Sequence, residues 1–174
     1  MKHLLFFIAF PLLAPKISFS QEEQKPQFIN YIFDPKANAK EDLQNAVKIA
    51  NKENKNVFLI IGGDWDYWCR FFNDEFINDS AVINIASSNY VYVRINFSPQ
   101  NKNEEILTSL SCPKREGYPI FMIFDKNGKK LHTQNADEFK IDRKFRLSKF
   151  INFLNSWTTQ NAPESLKNIK VIQH

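Results

Sequence analysis

Two spacings of apolar residues alternate along this chain. Asn56 to Ile61 is a short, unbroken run rich in β-branched and aromatic residues, which predicts a buried strand. Tyr90 to Phe97 and Pro119 to Phe124 read the same way, and Phe28 to Phe33 reads as a short first strand ended by Asp34-Pro35. Between them the spacing changes to threes and fours. Leu43, Ala46, Val47 and Ala50 predict a helix over 40–51; Phe71, Phe72, Phe76 and Ile77 predict one beginning near Asp66. Asn78-Asp79-Ser80 is a break and a new N-cap, followed by a short helix carrying Val82, Ile83, Ile85 and Ala86. A helix is expected over 104–111, ended by Cys112-Pro113, and another over 143–158, with Phe145, Leu147, Phe150, Ile151, Leu154 and Trp157 as its stripe. Asp125 to Lys129 is a hairpin turn around Asn-Gly, with a returning strand over 130–133. Pro119 opens its strand without a ladder N–H, which marks an edge, a start or a bulge. The order implies one α/β domain: a central mixed sheet with helices on both faces.

The ends differ from this middle. Met1-Lys2-His3, the apolar stretch Leu4–Ala14 and the small residues of Ser18-Phe19-Ser20 have the layout of a secretory signal peptide cleaved after Ser20. A retained anchor is the alternative, but the apolar run is short for a bilayer. Residues 21–37 then form an N-terminal arm, 38–159 the domain and 160–174 a polar tail. Cleavage would remove Lys2 and Lys16 and no acid, so the formal charge of +4 falls to +2. That balance, without an Arg/Lys block, argues against a nucleic-acid partner, and the cleaved chain is expected to hold no membrane segment. Export would put Cys69 and Cys112, the chain's two cysteines, where disulfides can form. Two cysteines make one bridge or two thiols, not a stapled scaffold. His3, His132 and His174 are scattered, so no metal site is expected, and no cofactor.

The candidate chemistry sits at Gly62-Gly63-Asp64-Trp65-Asp66-Tyr67-Trp68-Cys69-Arg70, where the central strand turns into a helix. This corner resembles that of the thioredoxin-like superfamily, most of all the periplasmic Dsb-type oxidoreductases, which read D-W-C-x-W-C-K. Asp64, Trp65, Trp68 and Cys69 match, Arg70 replaces the Lys, and the likeness continues through Glu75, Asp79 and Val82. Gly117-Tyr118-Pro119 is the second point of resemblance, which covers residues 38–158. It implies the thioredoxin-like fold, a cis-proline at 119 facing the redox pair, and a groove beside the corner that holds extended polypeptide. Trp65, Tyr67, Trp68, Tyr118 and Pro119 would line that groove. Packing into the core is the plainer role for the aromatics, with Trp65 half-buried, Trp68 more so and Tyr67 exposed.

The departure falls on the first cysteine of C-x-x-C, which here is Asp66. A dithiol cycle needs an exposed attacking thiolate and a resolving thiol one turn inward. Asp66 cannot attack a disulfide sulfur or pair with Cys69. Its plain role is an N-cap; its sharper one is to hold the negative charge a thiolate would have carried. Cys69 is either a small buried apolar residue or a residual monothiol, and a carboxylate nearby disfavours its thiolate while Arg70 points elsewhere on the helix. A Cys69–Cys112 bridge is allowed in principle, but the family's layout puts position 112 at the end of a different helix. Thioredoxins also carry a buried acid in the central strand; the matching positions are Leu59 and Ile60. Three readings follow: an exported thioredoxin-like protein that binds polypeptide thiol clients in the periplasm without dithiol turnover, a monothiol oxidoreductase or isomerase using Cys69, and a non-catalytic interaction subunit.

Overall fold

A computed structural model describes residues 33–112 and 117–163. The expected leader, nearly all of the expected first strand and the tail beyond 163 lie outside the described residues. The elements run α1 (Ala39–Glu53), β1 (Asn56–Gly62), α2 (Tyr67–Phe72), a π-helical turn (Asn73–Ile77), α3 (Ser80–Asn89), β2 (Tyr90–Asn96), α4 (Glu104–Ser109), β3 (Ile120–Phe124), β4 (Lys130–Asn135), a 3-10 turn (Ala136–Phe139), the two-residue strands β5 (Lys140–Ile141) and β6 (Lys144–Phe145), and α5 (Leu147–Ser156).

Four strands form one sheet in the order β2-β1-β3-β4. β1 runs parallel to β2 and antiparallel to β3, which pairs antiparallel with β4. Every residue of β1 and of β3 is buried, because helices cover both faces and no side of these strands meets water. Alternation still sorts the side chains. Phe58, Ile60, Phe121 and Ile123 pack with Phe72, Phe76, Phe150 and Leu154 on one face; Val57, Leu59, Ile61, Ile120 and Met122 pack with Ala46, Ala50 and Leu107 on the other. The first face is rich in aromatic rings: Phe72 alone meets Phe76, Phe121, Phe145 and Phe150 ring to ring. The second takes the alanine stripe of α1.

Local signals set the ends of these elements. Asn38 caps α1 by accepting the Glu41 N–H at 3.2 Å, and Asn54 closes it in the left-handed region at φ 55°. Asp79 caps α3 through the N–H groups of Ala81 and Val82. Beyond the end of α4, Ser111 stands at φ 50°, its N–H on Thr108 O and that of Cys112 on Leu107 O, the paired bonds of a Schellman close. In the β3–β4 turn, Asp125 Oδ1 accepts the N–H groups of Asn127 and Lys129, and Gly128 supplies φ 83°. Pro119 stands at the start of β3, an inner strand.

Several expectations need correction. The last helix begins at Leu147, not Arg143, because Asp142 and Arg143 have positive φ (49° and 62°) and turn the chain between β5 and β6. Phe145, expected on the helix stripe, lies in β6. The helix after Asn103 stops at Ser109, and the returning strand continues to Asn135. Phe33, the one described residue of the expected first strand, is buried but takes no strand pairing. The corner helix, expected to be continuous, widens into the π-helical turn at Asn73.

Candidate functional site

The corner is built from the C-terminal end of β1. Gly62 O accepts the Phe97 N–H at 2.6 Å, so the end of β2 is tied to the turn. Both glycines are required by close approach. A Cβ on Gly62 would strike Cys69 Sγ; one on Gly63 would strike the Trp65 indole and come within 2.8 Å of Phe97 O. The Asp66 N–H returns to Gly63 O at 3.0 Å, and α2 begins at the next residue. Asp66 is its N-cap: the carboxylate accepts the Cys69 N–H at 2.9 Å. Arg70 is not directed away from the corner, as the sequence suggested. Its Nη1 donates to Asp64 O at 2.6 Å and closes the turn from below.

Cys69 sits one turn in and is 4 % exposed, with Sγ against Gly62. Burial pushes its thiol well above the ordinary range. A backbone hydrogen bond at Gly63 works the other way, while Asp66, by charge and hydrogen bond, and the more distant Asp64 push it further up. The corner therefore holds a neutral thiol under a carboxylate. Cys69 and Cys112 both stand as thiols, and no disulfide joins them.

The Tyr118–Pro119 bond is cis, and Pro119 lines a small internal crevice together with Cys69, Ile60, Phe72 and Arg94. The expected aromatic residues fall into two pairs. Trp65 meets Tyr118 edge-on at 5.9 Å and donates its Nε1–H to Phe97 O at 2.6 Å, while Tyr118 stacks on Phe97 at 5.0 Å. The Tyr118 phenol is pushed up to about 12 by partial burial and then by the neighbouring Cys112, Cys69 and Asp66. Tyr67 meets Trp68 at 4.9 Å on the other side of Asp66. Trp65 is 52 % exposed, Tyr67 61 % and Trp68 39 %, so all three present ring surface to solvent. No ring contact joins the two pairs among the described residues.

Two contributors were not singled out from sequence. Arg94 lies beside Ile60 in the β1–β2 register, with Nη2 donating to Asn73 Oδ1 at 2.7 Å and Nε to Tyr92 Oη at 3.0 Å, and its guanidinium over the rings of Phe33 and Tyr92. It ties the π-helical turn to the sheet behind Cys69. The signal was a lone charge on the Tyr92 side of an otherwise apolar strand. The β5–β6 hairpin is the second contributor. Phe145 meets Trp68 at 4.9 Å, and Lys140 Nζ stands over both rings, 5.3 Å from Trp68 and 4.7 Å from Phe145. Among the described residues no group of three His, Cys, Asp or Glu could hold a metal, and no helix is long and apolar enough to cross a membrane.

The fold is matched in solved structures. A disulphide isomerase from Xylella fastidiosa Temecula1 superposes with TM-score 0.64 at 20 % identity, covering 74 % of this chain and 97 % of that one. A thioredoxin from Thermus thermophilus superposes with TM-score 0.50 at 14 % identity, covering 65 % and 81 %. No curated protein sequence matches the chain. The family model described as thioredoxin-like matches residues 38–126, from the N-cap of α1 through β3, and so takes in both the Asp66 corner and Pro119. On that match over half of its length, the chain belongs to the thioredoxin-like family.

Proposed function

We propose that this is an exported thioredoxin-like protein with a degenerate D-x-x-C corner, which binds polypeptide thiol clients in the periplasm without dithiol turnover. The observation that carries the reading is the Asp66 carboxylate on the Cys69 N–H. It fills the place where an attacking thiolate would stand and leaves one buried thiol beneath it. A mixed disulfide formed on an exposed sulfur would have no second thiol at the corner to resolve it. What remains usable is the surface beside it: exposed Trp65 and Tyr67, the Tyr118–Pro119 corner, and the adjoining end of the sheet. Aromatic side chains with apolar bodies and polar tips make strong anchors for a partner. Export rests on the leader-like N-terminus, which lies outside the described residues.

The monothiol reading is weakened by the burial of Cys69 and by the carboxylate that disfavours its ionised form. Insulin reduction driven by dithiothreitol separates the two. The expected result is no acceleration over dithiothreitol alone, together with measurable binding of a reduced, unfolded polypeptide such as carboxymethylated insulin B chain. Turnover that vanishes in Cys69→Ser would sink the proposal in favour of the monothiol enzyme.

A further inference from the structure

We infer that the segment bound at this corner is acidic on one side of its apolar anchor, the side that lies against the β5–β6 hairpin. The inference rests on the polypeptide-binding reading above and names the chemistry of the partner.

The exposed rings are bordered unequally. Beyond Trp65 stands the exposed carboxylate of Asp64, balanced by the Arg70 guanidinium on the Asp64 carbonyl oxygen, and between the ring pairs Asp66 is turned into the helix start by its bond to the Cys69 N–H. Beyond Trp68 stands the hairpin, whose residues 140–146 carry four bases and one acid, Asp142. Phe145 and Lys140 fix the hairpin against the Trp68 ring. The two positive-φ residues Asp142 and Arg143 put Arg143 and Lys144 at its exposed tip. Neither of those two side chains has an ion-pair partner among the described residues, whereas Lys140 is paired with Asp137 at 2.5 Å. Ile141, also at the tip, is exposed beside them. The face thus runs from a charge-balanced edge at Asp64 and Arg70, across rings, to a basic edge with an apolar residue in it. An extended chain laid across the rings meets its electrostatic complement when its carboxylates fall at Arg143 and Lys144. A lipid surface fits less well, because a plane of one charge would meet Asp64 as well as the hairpin.

The test uses the purified full chain and short labelled peptides that share one apolar centre and differ only in flanking Glu, Ser or Lys. The Glu-flanked peptide is expected to bind about tenfold tighter than the Lys-flanked one at low salt, with the gap closing at high salt. Arg143→Glu with Lys144→Glu should invert the order. Asp142→Asn, which suits the left-handed turn and removes the tip's one acid, should widen it. Binding that needs Tyr67 but shows no flank preference overturns this inference and leaves the polypeptide reading standing. No binding of any peptide removes both. Tighter association with phosphatidylglycerol vesicles than with the Glu-flanked peptide also overturns it.

Discussion

The Asp66 carboxylate and the Cys69 backbone N–H, three residues apart, are joined at 2.9 Å across the first turn of α2. One side chain thereby ends the loop and starts the helix. An N-cap of this kind contributes about 1 kcal/mol, because it satisfies a donor that has no partner within the helix. Asp66→Ala is expected to lower unfolding free energy by ~0.5–2 kcal/mol in urea titration, while Asp66→Asn or Asp66→Ser keeps most of it. Equal losses for all three would show that the cap is not what matters at this position.

Gly62 and Cys69 share one small space, since a Cβ at 62 would collide with Sγ. Alanine normally improves on glycine inside a strand. Here Gly62→Ala should instead cost ~1–3 kcal/mol through overpacking at the corner. Cys69→Ala removes the sulfur that is struck. The double variant should therefore lose less than the sum of the singles, by ~1 kcal/mol or more in a double-mutant cycle. Strict additivity would contradict the contact.

Alkaline pH tests the burial of two groups. The Cys69 thiol is raised above its ordinary 9.0, and the Tyr90 phenol, buried with its O–H donated to Leu154 O, above 10.0. In the unfolded chain each ionises at its ordinary value; in the folded chain each stays neutral well beyond it. Above the ordinary value the unfolded state therefore holds fewer protons, and stability falls as pH rises. It is whole below about pH 8.5, declines first through Cys69 and then, above pH 10, through Tyr90 and the half-buried Tyr118 phenol as well, at up to ~1.4 kcal/mol per pH unit for each fully buried group. Cys69→Ala should flatten the first part of the decline and leave the second. Chemical denaturation at a series of pH values reads both.

The sheet and the corner were legible because their signals are local. Asn56 to Ile61 admits no amphipathic reading, the two glycines must end it, and Asp66 carries its own capping chemistry. The β5–β6 hairpin was not legible, because Phe145 lies two residues before Leu147 and five before Phe150 and could be drawn onto the helix stripe. What excludes the helix is the backbone at Asp142 and Arg143, and neither residue type demands positive φ. The role of Arg94 was hidden for another reason. Its partners, Tyr92 and Asn73, lie on a strand and on a widened helical turn that come together only in the folded chain. Asn73 gives no sign in sequence that the helix widens there.

Tyr67 separates binding from folding. It is exposed and its ring meets that of Trp68, itself at the surface, so little of the core depends on it. Tyr67→Ala should change stability by no more than ~0.5 kcal/mol. If the polypeptide reading holds, the same variant weakens binding of unfolded chains several-fold, measured by fluorescence anisotropy. Trp65→Ala is the less clean probe, because its indole N–H also satisfies Phe97 O.

Asp66→Cys asks whether the corner still has the shape of a redox site. Position 66 precedes the first helical residue, and Cys69 is one turn further on. A thiolate at 66 would meet the Cys69 N–H that now bonds the carboxylate, which favours its ionised form and its attack on a substrate disulfide. Cys69 would then lose a neighbouring carboxylate, the source of part of its upward push, and could resolve the mixed disulfide by expelling the client thiol. Two electrons pass from the pair to the client, and a 66–69 disulfide remains, to be reduced by dithiothreitol. The variant should therefore accelerate insulin reduction where the parent does not. Its oxidised form should show a 66–69 bridge by peptide mapping, and adding Cys69→Ser should abolish turnover. A variant that folds but forms no such bridge would mean that the thiol at 69 is held too deeply for redox chemistry, whatever residue stands at 66.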